Sequence, residues 1–313
     1  SSAASDVYKR QVIDAVCRAG LRSGAAVLHV DSSPGAGRTV ITAAGEPEAV
    51  KDAALAMIRA AVERIDMRVH RGVHPCIGAA DVCPFVPLYK TTLADCAAYA
   101  REVGAQAAAE LDVPVYLYGA AAADPLRAEL AVVRRGGYAG LERRFARGAF
   151  KPDFGPAEFK PKCGAIAVGA RPILVAFNVN LATATLETAR RIAADIRRAR
   201  DTGAEQLTAC QTIGWYIEEY HCAQVSTNIT DYIRTPLEAV YRAVDIQARR
   251  LGSSAAGAEV VGLLPRAALC GAESSAEAVS AAVSRLGLSS VKPFIPQRRI
   301  LECALESAFG KLF

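Results

Sequence analysis

The stretch ILVAFNVNL at residues 173–181 decides the fold of the second half of this chain. Its later positions alternate apolar side chains with amides, which is typical of a β-strand that has one buried face. A helix, two strands, a second helix and a last strand are predicted after it, at 186–200, 206–217, 222–231, 236–251 and 258–263. The two middle strands are expected to form an antiparallel pair, because only a short turn separates them.

The first half carries the same kind of alternation. Strands are predicted at 26–31, 38–44, 81–88, 113–118 and 164–168, and helices at 12–21, 47–67 and 92–111. The fold class is therefore α+β, with two βαββαβ-like (ferredoxin-like) subdomains, each a sheet covered by helices. A boundary near residues 169–172 divides the chain into an N-terminal subdomain, 1–170, and a C-terminal subdomain, 171–313.

Composition excludes several classes of protein. Of the 313 residues 52% are hydrophobic, yet no apolar run approaches the roughly 20 residues of a membrane span. The net charge of +5 comes from scattered basic residues, which argues against a nucleic-acid-binding protein. The sequence has nine cysteines, an odd number, and no two of them form a C-x-x-C motif. We therefore expect most of them to be reduced and buried in a cytoplasmic protein.

Two of the four histidines lie in the segment HRGVHP at 70–75. Gly72 and Pro75 would break a helix carrying both imidazoles, so the sequence does not favour a metal site there. His74 is a candidate acid or base, because Pro75 restricts its backbone and so presets the direction of its side chain. A surface or capping histidine is the alternative, and composition alone favours it.

Two further segments have open interpretations. Residues 31–39, with the sequence PGAG at their centre, superficially resemble a phosphate-binding loop, but a β-branched strand follows them, so we predict a tight turn between strands. Asp31, at the end of the first strand, could orient a histidine or a ligand amine. The rigid loop at 154–164 could form a ligand-binding wall or a domain linker. Polar residues at 178–180 and 224–228 could bind a heterocycle or form cross-strand polar pairs.

Several segments resemble, in the same order, those of one known family. They are IDM at 65–67, HRGVHP at 70–75, GAADVCPF at 78–85, VPVYLYG at 113–119, PDFGP at 152–156, AFNVNL at 176–181 and AQVSTN at 223–228. The family is that of the glutamate formimidoyltransferases, and the resemblance covers residues 12 to about 305.

The resemblance implies transfer of the formimino group from N-formimino-L-glutamate to tetrahydrofolate, giving 5-formiminotetrahydrofolate and L-glutamate, in histidine degradation. The family's catalytic histidine corresponds to His74, and an acidic residue near the site corresponds to Asp31. Tetrahydrofolate would be a co-substrate, without a metal. A homodimer and a separate cyclodeaminase are expected as well. Formyl transfer between 5-formyltetrahydrofolate and glutamate, or a non-catalytic folate-binding homologue, are the alternatives.

The family's folate-binding loop corresponds to ten consecutive residues, and a further folate-contacting arginine corresponds to Arg197. The ten are Gly155, Pro156, Ala157, Glu158, Phe159, Lys160, Pro161, Lys162, Cys163 and Gly164. Folate ends in carboxylates, and lysine and arginine are the side chains expected to pair with them. The first eleven residues, SSAASDVYKRQ, do not resemble the family's opening strand, so we expect an atypical N-terminus that leaves a sheet edge unpaired.

Overall fold

The structure, a computed structural model, describes residues 2–148, 150–273 and 275–310. The strands in these ranges are β1 (Ala26–Ser33), β2 (Arg38–Ala44), β3 (Val82–Phe85), β4 (Val115–Gly119), β5 (Ile166–Ala170), β6 (Val175–Leu181), β7 (Cys210–Ile217), β8 (Cys222–Ile229) and β9 (Ala255–Val261). The helices are α1 (Ser2–Arg22), α2 (Pro47–Arg64), α3 (Leu93–Leu111), α4 (Leu130–Val133), α5 (Gly137–Ala146), α6 (Leu186–Asp201), α7 (Leu237–Arg250), α8 (Arg266–Cys270), α9 (Ala276–Arg285), α10 (Pro296–Arg299) and α11 (Leu301–Phe309). This mixture of helices and sheets confirms the predicted α+β class.

The chain divides into two compact units. The first unit consists of Ser1–Val27 and Ala43–Pro172, and the second consists of Leu28–Thr42 and Ile173–Phe313. Most of the segment that contains β1 and β2 therefore belongs to the second unit, although both strands precede the first unit's sheet in the sequence.

The sheet of the second unit has the strand order β7-β8-β6-β9, and all neighbouring strands are antiparallel. With α6 between β6 and β7, and α7 between β8 and β9, this is the predicted βαββαβ succession. The pairing of β7 with β8 runs from Cys210 opposite Ile229 to Ile217 opposite Cys222. The predicted antiparallel pair is thus confirmed.

One face of this sheet is apolar and is covered by helices. Phe177 and Val225 are fully buried, in one hydrophobic cluster with Ile192 of α6. The helix lies directly on β7 because Gly214 has no side chain, and a Cβ there would overlap the backbone of Ala189. The amide side chains of Asn178, Asn180 and Gln224 consequently lie on the opposite face, whereas Thr212 is on the helix-covered face and donates its hydroxyl to the carbonyl of Ala193.

The sheet of the first unit is built differently. Its order is β3-β5-β4, and both pairs are parallel. Helix α3, which a capping box of Thr92 and Asp95 begins, packs on this sheet through small residues such as Ala100 and Ala107. Pro84 is tolerated in β3 because that strand is at the edge of the sheet.

β1 and β2 form a separate two-stranded sheet. The turn between them is closed by Gly37, which has φ +65° and donates its N–H to the carbonyl of Pro34 at 3.1 Å. Glycine adopts this left-handed backbone without strain. The turn predicted at 31–39 is therefore confirmed.

Some predicted boundaries were wrong. The helix predicted from Val12 begins at Ser2, so residues 2–11 are helical, while Ser1 lies outside the described residues. The strand predicted from residue 206 begins only at Cys210, because Gln206 has φ +64° and an extended strand cannot contain that conformation. The strand predicted at 81–88 is limited to Val82–Phe85, and Asp81 before it has φ +31°.

Two expectations from composition concern the membrane and the cysteines. Among the described residues, every helix is too short or too polar to traverse a bilayer. No disulfide links the nine cysteines, all of which lie in the described ranges. The expectation that most of them are buried was wrong, since only Cys96, Cys163 and Cys210 are buried and the other six are partly exposed.

Candidate functional site

His74 lies in the first unit, in the segment 65–81 that joins α2 to β3. The helix ends where Ile65 becomes extended, and the N–H of Met67 then donates to the carbonyl of Lys162 at 2.8 Å. Farther along, the carbonyl of Cys76 accepts the N–H of Tyr138 at 2.7 Å. The segment is thus anchored on both sides of His74, whose side chain is half-buried.

Two polar groups lie against the Nδ1 edge of the His74 imidazole, and a carboxylate holds one of them. Nδ1 lies 2.8 Å from the carbonyl oxygen of Pro75 and 3.3 Å from Nη2 of Arg134. The same Nη2 lies 2.9 Å from Oδ2 of Asp81, and both side chains of this ion pair are largely buried. The other carboxylate oxygen of Asp81 accepts the backbone N–H of Ile77 at 2.8 Å.

Sequence reasoning did not select Arg134 or Asp81. Arg134 follows His74 by 60 residues, at the C-terminal end of α4, and nothing in its local pattern indicates this partner. Asp81 could have been noticed, because it stands next to the histidine segment at the start of a predicted strand.

The predicted folate-binding loop, residues 155–164, lies directly beside the His74 segment. Three backbone contacts join them: a bridge between Gly78 and Gly164, Ala165 N–H to Ile77 carbonyl at 2.9 Å, and Ala79 N–H to Cys163 carbonyl at 2.9 Å. Gly78 is fully packed against this strand, and a Cβ there would overlap the carbonyl oxygen of Ala165. The structure therefore brings two of the predicted site regions together within one unit.

The two lysines of this loop are already paired with protein groups. Nζ of Lys160 lies 2.6 Å from carboxylate oxygens of Asp112 and of Glu158, whose hydrogen bonds raise the pKa of this lysine. Nζ of Lys162 donates to the carbonyl of Glu63 at 3.0 Å. Through these contacts the two lysines hold the loop in place, and each also adds one positive charge to it.

Asp31 lies in the second unit, buried at the end of β1. Its Oδ2 accepts the N–H of Gly262 at 3.0 Å and forms an ion pair with Arg299, while Nζ of Lys292 lies 4.0 Å from Oδ1. Burial opposes ionisation, but interaction with His29, Gly262 N–H and Arg299 outweighs it and holds the pKa of Asp31 well below its usual range. Asp31 is thus a fixed negative charge and is poorly suited to carrying a proton.

The polar face of the second unit's sheet carries a network of buried amides. Gln224 donates to Oδ1 of its cross-strand neighbour Asn180 at 2.6 Å and accepts the indole N–H of Trp215 at 2.8 Å. Asn180 in turn donates to Oγ of Ser290 at 2.9 Å. Of the two sequence interpretations, cross-strand polar pairs are therefore present, but they are buried instead of solvated.

Arg197 lies on α6, which packs against the other, apolar face of that sheet. Its Nη1 donates to the carbonyl of Thr212 at 2.6 Å. Arg197 and Asp31 thus belong to the second unit, and His74 and the loop 155–164 to the first. In the part of the chain that the structure describes, no three His, Cys, Asp or Glu side chains come together as a metal-binding group.

Comparison with known families covers nearly the whole chain. Residues 3–171 match the formiminotransferase domain, N-terminal subdomain, and residues 176–306 match the formiminotransferase domain.

Curated relatives give the same result. Glutamate formimidoyltransferase of Thermoplasma acidophilum is 42% identical over 245 residues, 78% of this chain and 79% of that protein. Glutamate formimidoyltransferase of Streptococcus pyogenes serotype M1 is 36% identical over 266 residues, 85% of this chain and 88% of that protein. Formimidoyltransferase-cyclodeaminase of Rattus norvegicus is 41% identical over 314 residues, and the chain spans 58% of its length. Matches of this extent show that the chain belongs to the formiminotransferase family.

Proposed function

We propose that this chain transfers the formimino group of N-formimino-L-glutamate to tetrahydrofolate, forming 5-formiminotetrahydrofolate and L-glutamate in histidine degradation. The observation that carries the proposal is the environment of His74. One ring nitrogen is held by the protein in a segment joined to the predicted folate-binding loop. The similarity to glutamate formimidoyltransferases over more than three quarters of their length supports this reaction over other uses of such a histidine.

The reaction requires a proton to be moved twice. The N5 amine of tetrahydrofolate attacks the amidine carbon of the donor and forms a tetrahedral intermediate, from which the glutamate amine must then leave in protonated form. A single group that ionises near neutral pH can accept the first proton and return it to the leaving amine. The imidazole of His74 is suited to both steps, because its Nε2 is not the nitrogen bound by Pro75.

Folate would bind along the loop Gly155–Gly164. Gly155 and Gly164 have positive φ and pack closely on neighbouring backbone, so the loop has a fixed shape before ligand binds. Lys160, Lys162 and Arg197 are the proposed partners for folate carboxylates, although each already has a protein partner. We expect carboxylates to share these cations with the protein groups, which limits the affinity that each one adds.

For Asp31 we propose a supporting role as a permanently ionised carboxylate that fixes β1 to Gly262 and Arg299. We further propose, from the family resemblance, a cytoplasmic homodimer that uses tetrahydrofolate as co-substrate without a metal. The name of the rat relative includes a cyclodeaminase, and for this chain we propose that a separate cyclodeaminase acts on the product.

The proposal is tested by incubating the protein with tetrahydrofolate and formiminoglutamate, then acidifying the mixture and measuring the absorbance of methenyl-folate. We expect product above the blank, and we expect His74→Ala to lose turnover while folate binding, measured by fluorescence titration, is retained. His70→Ala, in the same segment, is the matched control and should turn over normally.

Other outcomes distinguish the alternatives. Turnover only with 5-formyltetrahydrofolate and glutamate would establish formyl transfer instead. Folate binding without turnover of either donor would identify a non-catalytic homologue. Full activity of His74→Ala would remove His74 from the mechanism.

A further inference from the structure

The Nδ1 atom of His74 faces two groups that require opposite protonation states. The carbonyl oxygen of Pro75, at 2.8 Å, can only accept a hydrogen bond, whereas Nη2 of Arg134, at 3.3 Å, can only donate one. One nitrogen cannot satisfy both. The shorter contact is to the carbonyl, so the proton lies on Nδ1, and the lone pair of the neutral ring lies on Nε2.

Arg134 is then a positive charge beside the ring and not its hydrogen-bond partner. A guanidinium at this distance opposes a second proton on the imidazole, because the imidazolium would be a like charge. Both side chains of the Arg134–Asp81 pair are largely buried, so water screens this repulsion only weakly.

Asp81 holds the guanidinium of Arg134 in this position. One of its carboxylate oxygens pairs with Arg134 and the other accepts the N–H of Ile77, three residues after His74. The carboxylate therefore ties the end of α4 to the histidine's own segment. Asp81 adopts φ +31°, a conformation that aspartate tolerates better than most residues, at the point where the segment enters β3.

We propose that Arg134, anchored by Asp81, is a positioning residue for His74 that holds the imidazole neutral, with Nδ1 protonated and Nε2 as the atom that accepts the proton of the folate amine. The inference rests on the proposed transferase function. Asp81 partly offsets the charge of Arg134. The remaining ionisable groups of the segment 65–81 are Asp66, Arg68, His70, Arg71 and Cys76. The buried Tyr118 of β4 also interacts with Arg134.

The first test compares the pH–rate profiles of the wild type, Arg134→Met and Arg134→Lys. In Arg134→Met the acidic limb should move to higher pH by about 0.5 unit or more, because removing the guanidinium favours the imidazolium. Arg134→Lys keeps the charge and should retain most of the wild-type profile. Arg135→Met, the exposed neighbour, is the control with the same loss of charge and should match the wild type.

An unshifted acidic limb in Arg134→Met, or a shift of equal size in Arg134→Lys, would overturn the proposal. The second test needs no turnover and no variant. Nitrogen-15 NMR of the labelled wild-type protein should show the His74 proton on Nδ1 at pH 8, and a proton on Nε2 would overturn the assignment. Inactive wild-type protein with the expected tautomer would refute the proposed function and leave the positioning contact intact.

Discussion

Each unit of the molecule contains one grouping of an aspartate, an arginine and a histidine. The first grouping is Asp81, Arg134 and His74, and the second is Asp31, Arg299 and His29. In both, the carboxylate pairs with the guanidinium and also accepts a backbone N–H, and the guanidinium lies 3.3 or 3.1 Å from an imidazole nitrogen. The residue types are the same, but the two groupings are held in place by different forces.

Charge dominates the second grouping. Arg299 contacts Asp31, His29 and the carbonyls of Val260 and Gly262, and Lys292 adds a second cation. Nε2 of His29 lies 3.1 Å from the Arg299 guanidinium and 3.8 Å from Oδ2 of Asp31, so both partners occupy that nitrogen.

In the first grouping, His74 and Asp81 lie in a segment held by backbone contacts to residues 163–165, and the histidine turns Nδ1 and not Nε2 towards the guanidinium. The comparison shows that two groupings of the same residue types can turn different ring nitrogens towards the guanidinium, Nδ1 of His74 and Nε2 of His29.

The largest expected difference between the groupings is in catalysis. We expect His74→Ala to lower turnover by about 10²- to 10⁴-fold, the usual contribution of a general acid and base. His29→Ala should change turnover by less than about threefold, since its nitrogen is committed to Arg299. Steady-state kinetics with both substrates measures this, and equal losses in the two variants would remove the distinction.

Removing one charge should break the second grouping. Arg299→Met leaves the buried carboxylate of Asp31 without its main partner, and we expect a loss of about 3 kcal/mol in the free energy of unfolding. Urea denaturation, followed through the unfolding transition of the second unit, measures this change in the free energy of unfolding. Arg298→Met, exposed and adjacent, is the matched control and should stay within about 0.5 kcal/mol of the wild type.

A methyl group should break the backbone contacts of the first grouping. Gly78→Ala would place Cβ against the carbonyl of Ala165, and we expect about 2 kcal/mol of destabilisation together with reduced turnover. Gly140→Ala, within α5, meets no atom within 4 Å and should be neutral or stabilise by about 0.5 kcal/mol. If Gly78→Ala unfolds in urea like the wild type, the close approach of the two segments is not important for stability.

Acid should weaken the second grouping first. The folded pKa of Asp31 is depressed, so its contribution to stability is complete above the unfolded value of about 3.9 and is lost as pH falls from there towards the folded value. The difference in the free energy of unfolding between wild type and Asp31→Asn, measured by urea denaturation, should thus be constant from pH 5 to 7. Below about pH 4 it should narrow, by at most about 1.4 kcal/mol per pH unit.

Asp66→Asn provides the comparison within the first unit. Its partner Arg68 is the main cause that lowers the pKa of Asp66 to about 2, but this pair is exposed. Solvent screens such a pair, so Asp66→Asn should alter the acid dependence of stability much less. A larger acid effect in Asp66→Asn than in Asp31→Asn would contradict the assignment of charge dependence to the second unit.

The sequence predicted what depends on local patterns. The β7–β8 pair followed from two alternating strands with a short turn, and α3 followed from helical spacing after Thr92. Boundaries failed where a single residue adopts a left-handed backbone, as at Gln206, because that conformation is a property of the local packing and not of residue type.

Contacts between distant residues could not be predicted. Arg299 meets Asp31 across 268 positions of sequence, and an arginine at the end of a short helix carries no sign of its partner. His74 and the loop 155–164 were candidates from the local sequence and from the family resemblance, but their backbone connection through Gly78 became visible only in three dimensions.

That connection makes the two segments a single cooperative element. Backbone hydrogen bonds join Ile77 to Ala165 and Ala79 to Cys163. Neither segment can therefore open without breaking its bonds to the other. Ligand bound to the loop 155–164 would therefore slow hydrogen exchange of the Ala79 amide as well, although it need not touch that residue. If the loop 155–164 were transplanted, the backbone contacts of residues 163–165 would have to be kept, or the segment 65–81 would lose its support.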